Sequence, residues 1–250
     1  MKLQKPQKLW TILAGFFIAN ALLAEFLGVK IFSLEKTFGF NPSDIKLGDS
    51  NFNFDLTAGV IIWPAVFIIT DIINDFYGKK AVKFLSYLAA GILAFSFLVV
   101  TLVIKTVPSQ YWTSNFKGIS DINGAYNAIF GQGLWIIAGS IIAFLVGQVV
   151  DAVVFERIKR KTSGKGIWLR ATVSTLISQF IDSYLVLIIA FYVGQGFDLK
   201  WVLQIGTMNY FYKFIVAICL IPLLYVIHHT IDKFLGKSLS EQMKKDAMVV

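Results

Sequence analysis

The sequence predicts an all-α membrane protein, a bundle of six transmembrane helices with the N- and C-termini both cytoplasmic. Three observations predict it. The chain has 250 residues, 56% hydrophobic and 15% charged, with a mean hydropathy of +0.69, a balance that soluble domains do not approach. Apolar stretches close to the ~20 residues needed to cross a bilayer recur along it. The 23 Lys and Arg residues are also unevenly placed. With the N-terminus inside, Lys5, Lys8, Lys79, Lys80, Lys83, Arg157, Lys159, Arg160, Arg170, Lys233 and most of the others are cytoplasmic, against Lys30, Lys36, Lys46, Lys105, Lys117 and Lys200 outside. This is the positive-inside pattern, and it argues against the nucleic-acid partner that a pI near 9.4 alone suggests.

The expected helices cover 9–27, 56–73, 82–103, 134–155, 171–193 and 201–227, in one domain spanning 1–250. Basic residues precede the first, and Ala19-Asn20-Ala21 resembles a signal-peptide cleavage site. Apolar character continues through Leu22, Leu23 and Phe26, so a retained helix is expected. Trp63-Pro64 in the second reads as a kink, or alternatively as a pocket wall. The segment 28–55, containing "GFNPSDIKLGDSNFNFD", is an expected external loop or short interfacial element. A second external stretch, 108–133, carries Tyr111, Trp112, Phe116, Tyr126 and Phe130 as headgroup-level anchors. "ERIKRKTSGKGIWLR" is the expected cytoplasmic connection before helix five. Cys219 is the only cysteine, so there is no intrachain disulfide and no Cys-rich metal site.

The chemistry lies in polar residues inside apolar runs, where a carboxylate costs about 2.5–3.5 kcal/mol at the bilayer centre. Positions three or four apart share a helix face. Gln179 therefore projects with Asp182, Gln148 with Asp151, and Asp71 with Asn74 and Asp75. Helix six adds Asn209 and Lys213, and helix one adds Asn20 and Glu25. Asp182 and Lys213, both at mid-depth, are an expected ion pair. Asp75 lies near the inner boundary, where simple solvation is the competing reading. Ser174, Thr175 and Ser183 are assigned by default to helix packing. A carboxylate and a neighbouring amide suit the N–H edge of a guanine-type heterocycle, with Trp63 over its face. The same groups also suit sugars, amino acids and other vitamins.

Four segments, "WPAVFIITDIINDFYGKKAVKF", "GSIIAFLVGQVVDAVVFERIKRKT", "WLRATVSTLISQFIDSYLVLIIAF" and "NYFYKFIVAICLIPLLYVI", together resemble the queuosine precursor transporter family, also called the vitamin uptake transporter family. The likeness runs from about 56 to 227. It implies uptake of a deazaguanine base such as cyano-deazaguanine across the bacterial inner membrane, with no enzymatic activity and no cofactor. It also implies a six-helix fold related to the vitamin-binding membrane components of energy-coupling uptake systems. The family's recurring carboxylates match Asp71, Asp151 and Asp182, and its helix-six lysine matches Lys213, followed by Pro222 and Tyr225. The likeness departs at Asp75, where many relatives carry Glu, and at "GQGLWIIAGS", where they carry an Arg.

From the polar and aromatic residues of the helices taken with the resemblance, the expected substrate-binding set is Asp182, Gln179, Asp151, Gln148, Asp71, Asn74, Lys213, Trp63, Asn20 and Glu25. A component for another vitamin, working with a separate ATPase module, is the alternative; the chain has no G-x-x-x-x-G-K-[ST] phosphate loop and is not itself the ATPase. An intramembrane aspartyl hydrolase is the third reading. It needs two carboxyls sharing one water, and Asp151 and Asp182 are expected at different depths.

Overall fold

The computed structural model describes residues 3–40, 45–47, 50–52, 55–114 and 118–249. It is an almost wholly helical protein: α1 (Lys5–Leu27), α2 (Leu34–Thr37), α3 (Trp63–Ile104), α4 (Gln110–Ser114), α5 (Ile122–Phe130), α6 (Leu134–Lys161), α7 (Ile167–Leu187), α8 (Leu199–Cys219), α9 (Ile221–Leu235) and α10 (Lys237–Val249). A π-helical stretch, Ile188–Val193, continues α7. Among the described residues five helical segments are long and apolar enough to cross a membrane, Trp63–Ile104 being one of them. The chain is a multi-pass membrane protein.

Within 28–55, expected as an external loop or short interfacial element, the described residues form two short antiparallel pairings. Strand β1 (Ile31–Ser33) pairs antiparallel with β4 (Asp55–Thr57), and β2 (Ile45–Leu47) with β3 (Ser50–Phe52). Residues 41–44, 48–49 and 53–54 of this segment lie outside the described residues, as does Phe116 of the second external stretch.

Helix α3 is 42 residues long, about twice what a ~30 Å hydrocarbon core needs at ~1.5 Å per residue. It is two helices merged at Gly78, whose φ of 81° and ψ of 171° are non-helical and belong to a region only glycine enters readily. Helix α1 touches both halves. Tyr77 donates to the Pro6 carbonyl at 2.6 Å and its ring meets Trp10 edge-on. At the other end of α1, Gly59 packs on the Ala24 carbonyl and Phe26 meets Phe97. The chain therefore folds back at Gly78, so that both arms run along α1.

Other boundaries also moved. Trp63 and Pro64 open α3 after a 3-10 turn, Ala58–Ile61, because proline fits the first helical turn without losing a needed donor. The expected kink is a helix start. The expected sixth helix is α8 and α9, separated at Leu220 just before Pro222. Helix α6 runs on to Lys161, past the last apolar residue, because backbone hydrogen bonds and the Arg160–Glu156 i,i+4 pair continue it. The core joins Leu9, Leu13 and Phe17 of α1 to Ile72, Phe76, Leu85 and Leu93 of α3 and Phe144 and Phe155 of α6.

Candidate functional site

Small residues set the geometry. On α6, Gly139, Ala143, Gly147 and Asp151 recur every fourth position and are all buried. A methyl at Gly139 would stand 3.2 Å from the Val186 carbonyl, and one at Gly147 3.7 Å from Asp182 Cβ. Such a stripe lets α7 approach closely. The approach carries Asp151 to Ser178, whose hydroxyl donates to Asp151 Oδ1 at 3.2 Å.

Helix α3 meets the adjoining face of α6. Asn74 Nδ2 donates to the Ala152 carbonyl at 3.0 Å, and Thr70 Oγ1 lies 2.9 Å from Gln148 Oε1. Asp71, Asn74, Gln148, Asp151 and Gln179 are all nearly inaccessible. Each nevertheless retains a buried polar atom without a hydrogen-bond partner: Asp71 Oδ1, Asn74 Oδ1, Gln148 Nε2, Asp151 Oδ2, and both amide atoms of Gln179. Buried polar groups are normally satisfied, because leaving one bare costs about 1–3 kcal/mol. Such a concentration in one place marks a site built for something else to complete.

A cavity of about 610 Å³, counting its open mouth, adjoins these residues. Trp63, Pro64, Phe67 and Asp71 form the α3 wall, Thr175 and Gln179 the α7 wall, Tyr212 and Lys213 the α8 wall, and Leu224 of α9 one end. Trp63 is held by tilted contacts with Phe67 and Phe144, at centroid distances of 6.1 and 5.8 Å.

Four of the ten expected residues thus share the cavity: Trp63, Asp71, Gln179 and Lys213. Asp182 does not line it. It stands behind Lys213, whose ammonium is 2.6 Å from Asp182 Oδ2. Asn74, Gln148 and Asp151 lie behind the α3 and α7 walls in the α3–α6–α7 contact. Glu25 is buried away from the cavity, accepting from Ser140 at 2.5 Å, and Asn20 donates to the Phe16 carbonyl of its own helix at 2.7 Å. Phe67, Thr175 and Tyr212 were not anticipated in the lining. Phe67 is signalled by its i+4 spacing from Trp63 and Tyr212 by its place next to Lys213.

The largest departure is Asp75. Far from being solvated, it is fully buried. Lys159 Nζ and Arg170 Nη2 stand 2.9 and 2.7 Å from its Oδ1, and His228 Nε2 is 2.8 Å from Oδ2. Lys159 and Arg170, expected in a cytoplasmic loop, reach it because α6 and α7 extend beyond their apolar runs. This hub lies one turn beyond the cavity on α3 and α9, where Asp71 precedes Asp75 and Leu224 precedes His228; on α7, Arg170 precedes the lining residue Ala171. Helix α10 seals it, with Lys244 4.9 Å above the Phe76 ring and 2.8 Å from Asp232.

Comparison with known proteins follows the same chain segment. Residues 57–227 match the model of a family described as "Putative vitamin uptake transporter". The chain is 26% identical over 200 residues to a Haemophilus influenzae protein named "Probable queuosine precursor transporter", covering 79% of each. It is 29% identical over 176 residues to a Bacillus subtilis protein of the same name, covering 70% of this chain and 72% of that one. It is 23% identical over 175 residues to the Escherichia coli "Queuosine precursor transporter", covering 70% and 73%. No solved structure gives a significant match.

Proposed function

The chain belongs to the vitamin uptake transporter family, a family of transporters and not of enzymes, and on that premise we propose that it imports a queuosine precursor, a deazaguanine base of the cyano-deazaguanine type, across the bacterial inner membrane. The names of the three relatives support the substrate class. The single observation that carries the binding site is Gln179: its Oε1 and Nε2 are both buried, both unpartnered, and set in the cavity wall. A guanine-type edge offers both a carbonyl acceptor and N–H donors. Gln179 Nε2 donates to the carbonyl, its Oε1 accepts an N–H, and the Asp71 carboxylate accepts a second N–H from the same edge. Trp63 and Phe67 cover the ring face. Lys213, oriented by Asp182, presents a cation to the ligand's remaining acceptors.

In this reading α3 crosses the membrane twice, giving six crossings with both termini cytoplasmic. The fold-back at Gly78 and the cationic run Lys79, Lys80 and Lys83 beside it support that topology. The Asp75 hub then forms the cytoplasmic floor of the cavity, and transport proceeds by exposing the site alternately to the two sides. The test is uptake in cells unable to make the precursor. Supplied base restores queuosine in tRNA only when this protein is present; equal restoration after its deletion overturns the proposal. Transport by the purified protein in vesicles separates it from a binding component that depends on a separate ATPase.

A further inference from the structure

Behind the cavity the α3–α6–α7 contact holds several buried acceptor oxygens that no donor reaches. Asp71 Oδ1, Asn74 Oδ1 and Asp151 Oδ2 are buried acceptor oxygens without a partner. Asn74 is fixed in orientation, because its Nδ2 must face the Ala152 carbonyl. Gln148 adds a fourth. Thr70 Oγ1 lies 2.9 Å from both the Val66 carbonyl and Gln148 Oε1, yet a hydroxyl has one hydrogen to give. With that hydrogen on Val66, Gln148 turns its amide over, donates Nε2–H to Thr70, and leaves Oε1 as the unpartnered atom.

We propose that Asp71, Asn74, Gln148 and Asp151 form a binding site for a sodium ion that couples to the ligand in the adjoining cavity. Carboxylate and amide oxygens are hard ligands suited to such an ion. A shared proton is the rival occupant, but one O–H between Asp71 and Asp151 satisfies only those two oxygens and leaves Asn74 and Gln148 bare. A cation takes all four. Among the described residues no group of three or more His, Cys, Asp or Glu is arranged to hold a metal ion, and two carboxylates suit a single positive charge better than a divalent ion. The sodium ion cancels one of the two negative charges. The other remains for the ligand's N–H edge at Asp71, the residue common to cation site and cavity. Each occupant therefore favours the other, and by linkage the effect is reciprocal.

The inference rests on the uptake reading above, so its test separates the two. Purified protein is titrated with NaCl against KCl at constant ionic strength, without any base, by calorimetry and by thermal unfolding. Saturable heat and a rise in Tm specific to sodium are expected in the wild type and not in Asp151→Asn or Asn74→Leu. In proteoliposomes, an inward sodium gradient is expected to raise the initial rate of deazaguanine uptake by about tenfold, within the usual range of coupling energies. Absence of sodium binding by the wild type overturns the site. So does uptake that is indifferent to sodium, or driven equally by a proton gradient in sodium-free buffer. Sodium binding without any binding or uptake of the base leaves the site standing and overturns the functional reading instead. If Asn74→Leu does not fold, the sodium-specific Tm shift of the wild type and the Asp151→Asn variant decide the matter.

Discussion

The Lys159 ammonium holds Asp75 twice, at 2.9 Å to the carboxylate Oδ1 and at 2.5 Å to the backbone carbonyl of the same residue. The second bond has a local cause. The first arm of α3 stops at Gly78, helix ends leave carbonyls without intrahelical partners, and Lys159 covers one of them while neutralising the side chain. Arg170 and His228 complete the hub. Asp75→Asn strands these groups in a dry environment, and loss of one partner of a buried pair costs about 3–5 kcal/mol. Thermal unfolding in detergent should show that loss; a shift no larger than that of a surface carboxylate would contradict the hub's structural weight.

Gln179→Leu should behave in the opposite sense. The side chain makes no hydrogen bond within the protein to lose, so stability should hold or rise, while affinity for the deazaguanine base falls about thirtyfold for two hydrogen bonds of ~1 kcal/mol each. Equilibrium binding and Tm measured on the same preparation check both halves of this expectation.

Asp182 and Lys213 form a partly accessible pair. Asp182→Asn should weaken binding indirectly, by releasing Lys213 from the cavity wall. A double-mutant cycle with Lys213→Met should give a coupling of about 0.5–3 kcal/mol in binding. Additive effects would mean that the two residues act independently on the ligand.

Gly78→Ala forces an L residue into φ 81° and brings its Cβ to 3.0 Å from the Ala247 carbonyl of α10. Strain of this kind costs about 1–3 kcal/mol. Since the contact with α10 is also disturbed, protease sensitivity should rise first at the C-terminal helix.

Burial pushes the Asp232 carboxyl up, but hydrogen bonds from Lys244 and Ser240, with the charges of Lys244 and His228, outweigh it and hold the group below its ordinary value of 3.8. Its contribution to stability is therefore complete above the ordinary carboxylate range and is lost as the pH falls through the folded value. Asp232 is about a third exposed, so Asp232→Asn should cost only about 0.2–1 kcal/mol at neutral pH. The Tm difference between wild type and variant should vanish on acidification; a difference that grows in acid would refute the assignment.

Class and inventory were legible along the chain. The apolar runs announced a multi-pass membrane protein. Asp71, Gln179 and Lys213 were marked by their cost in lipid and Trp63 by the aromatic face it offers beside a proline, and all four line the cavity. The reading went astray where it equated a helix with its apolar run. Arg170 was counted only as a cytoplasmic charge before "ATVSTLISQ", and nothing nearby in sequence named Asp75 as its partner. His228 gave no signal at all.

Hydrophobicity and charge belong to individual residues, so the sequence by itself determined that this chain enters a membrane and which side chains must find partners there. Which partner each one found depended on the depth and rotation of helices far apart in the chain. Asp182 and Gln179 lie three residues apart and project from neighbouring positions of one helix, yet only Gln179 lines the cavity, because α8 brings Lys213 to Asp182 first. Packing of the glycine stripe on α6 against α7, and the reversal at Gly78, decided that outcome, since a buried polar group is satisfied by whatever the tertiary contacts deliver within hydrogen-bonding reach.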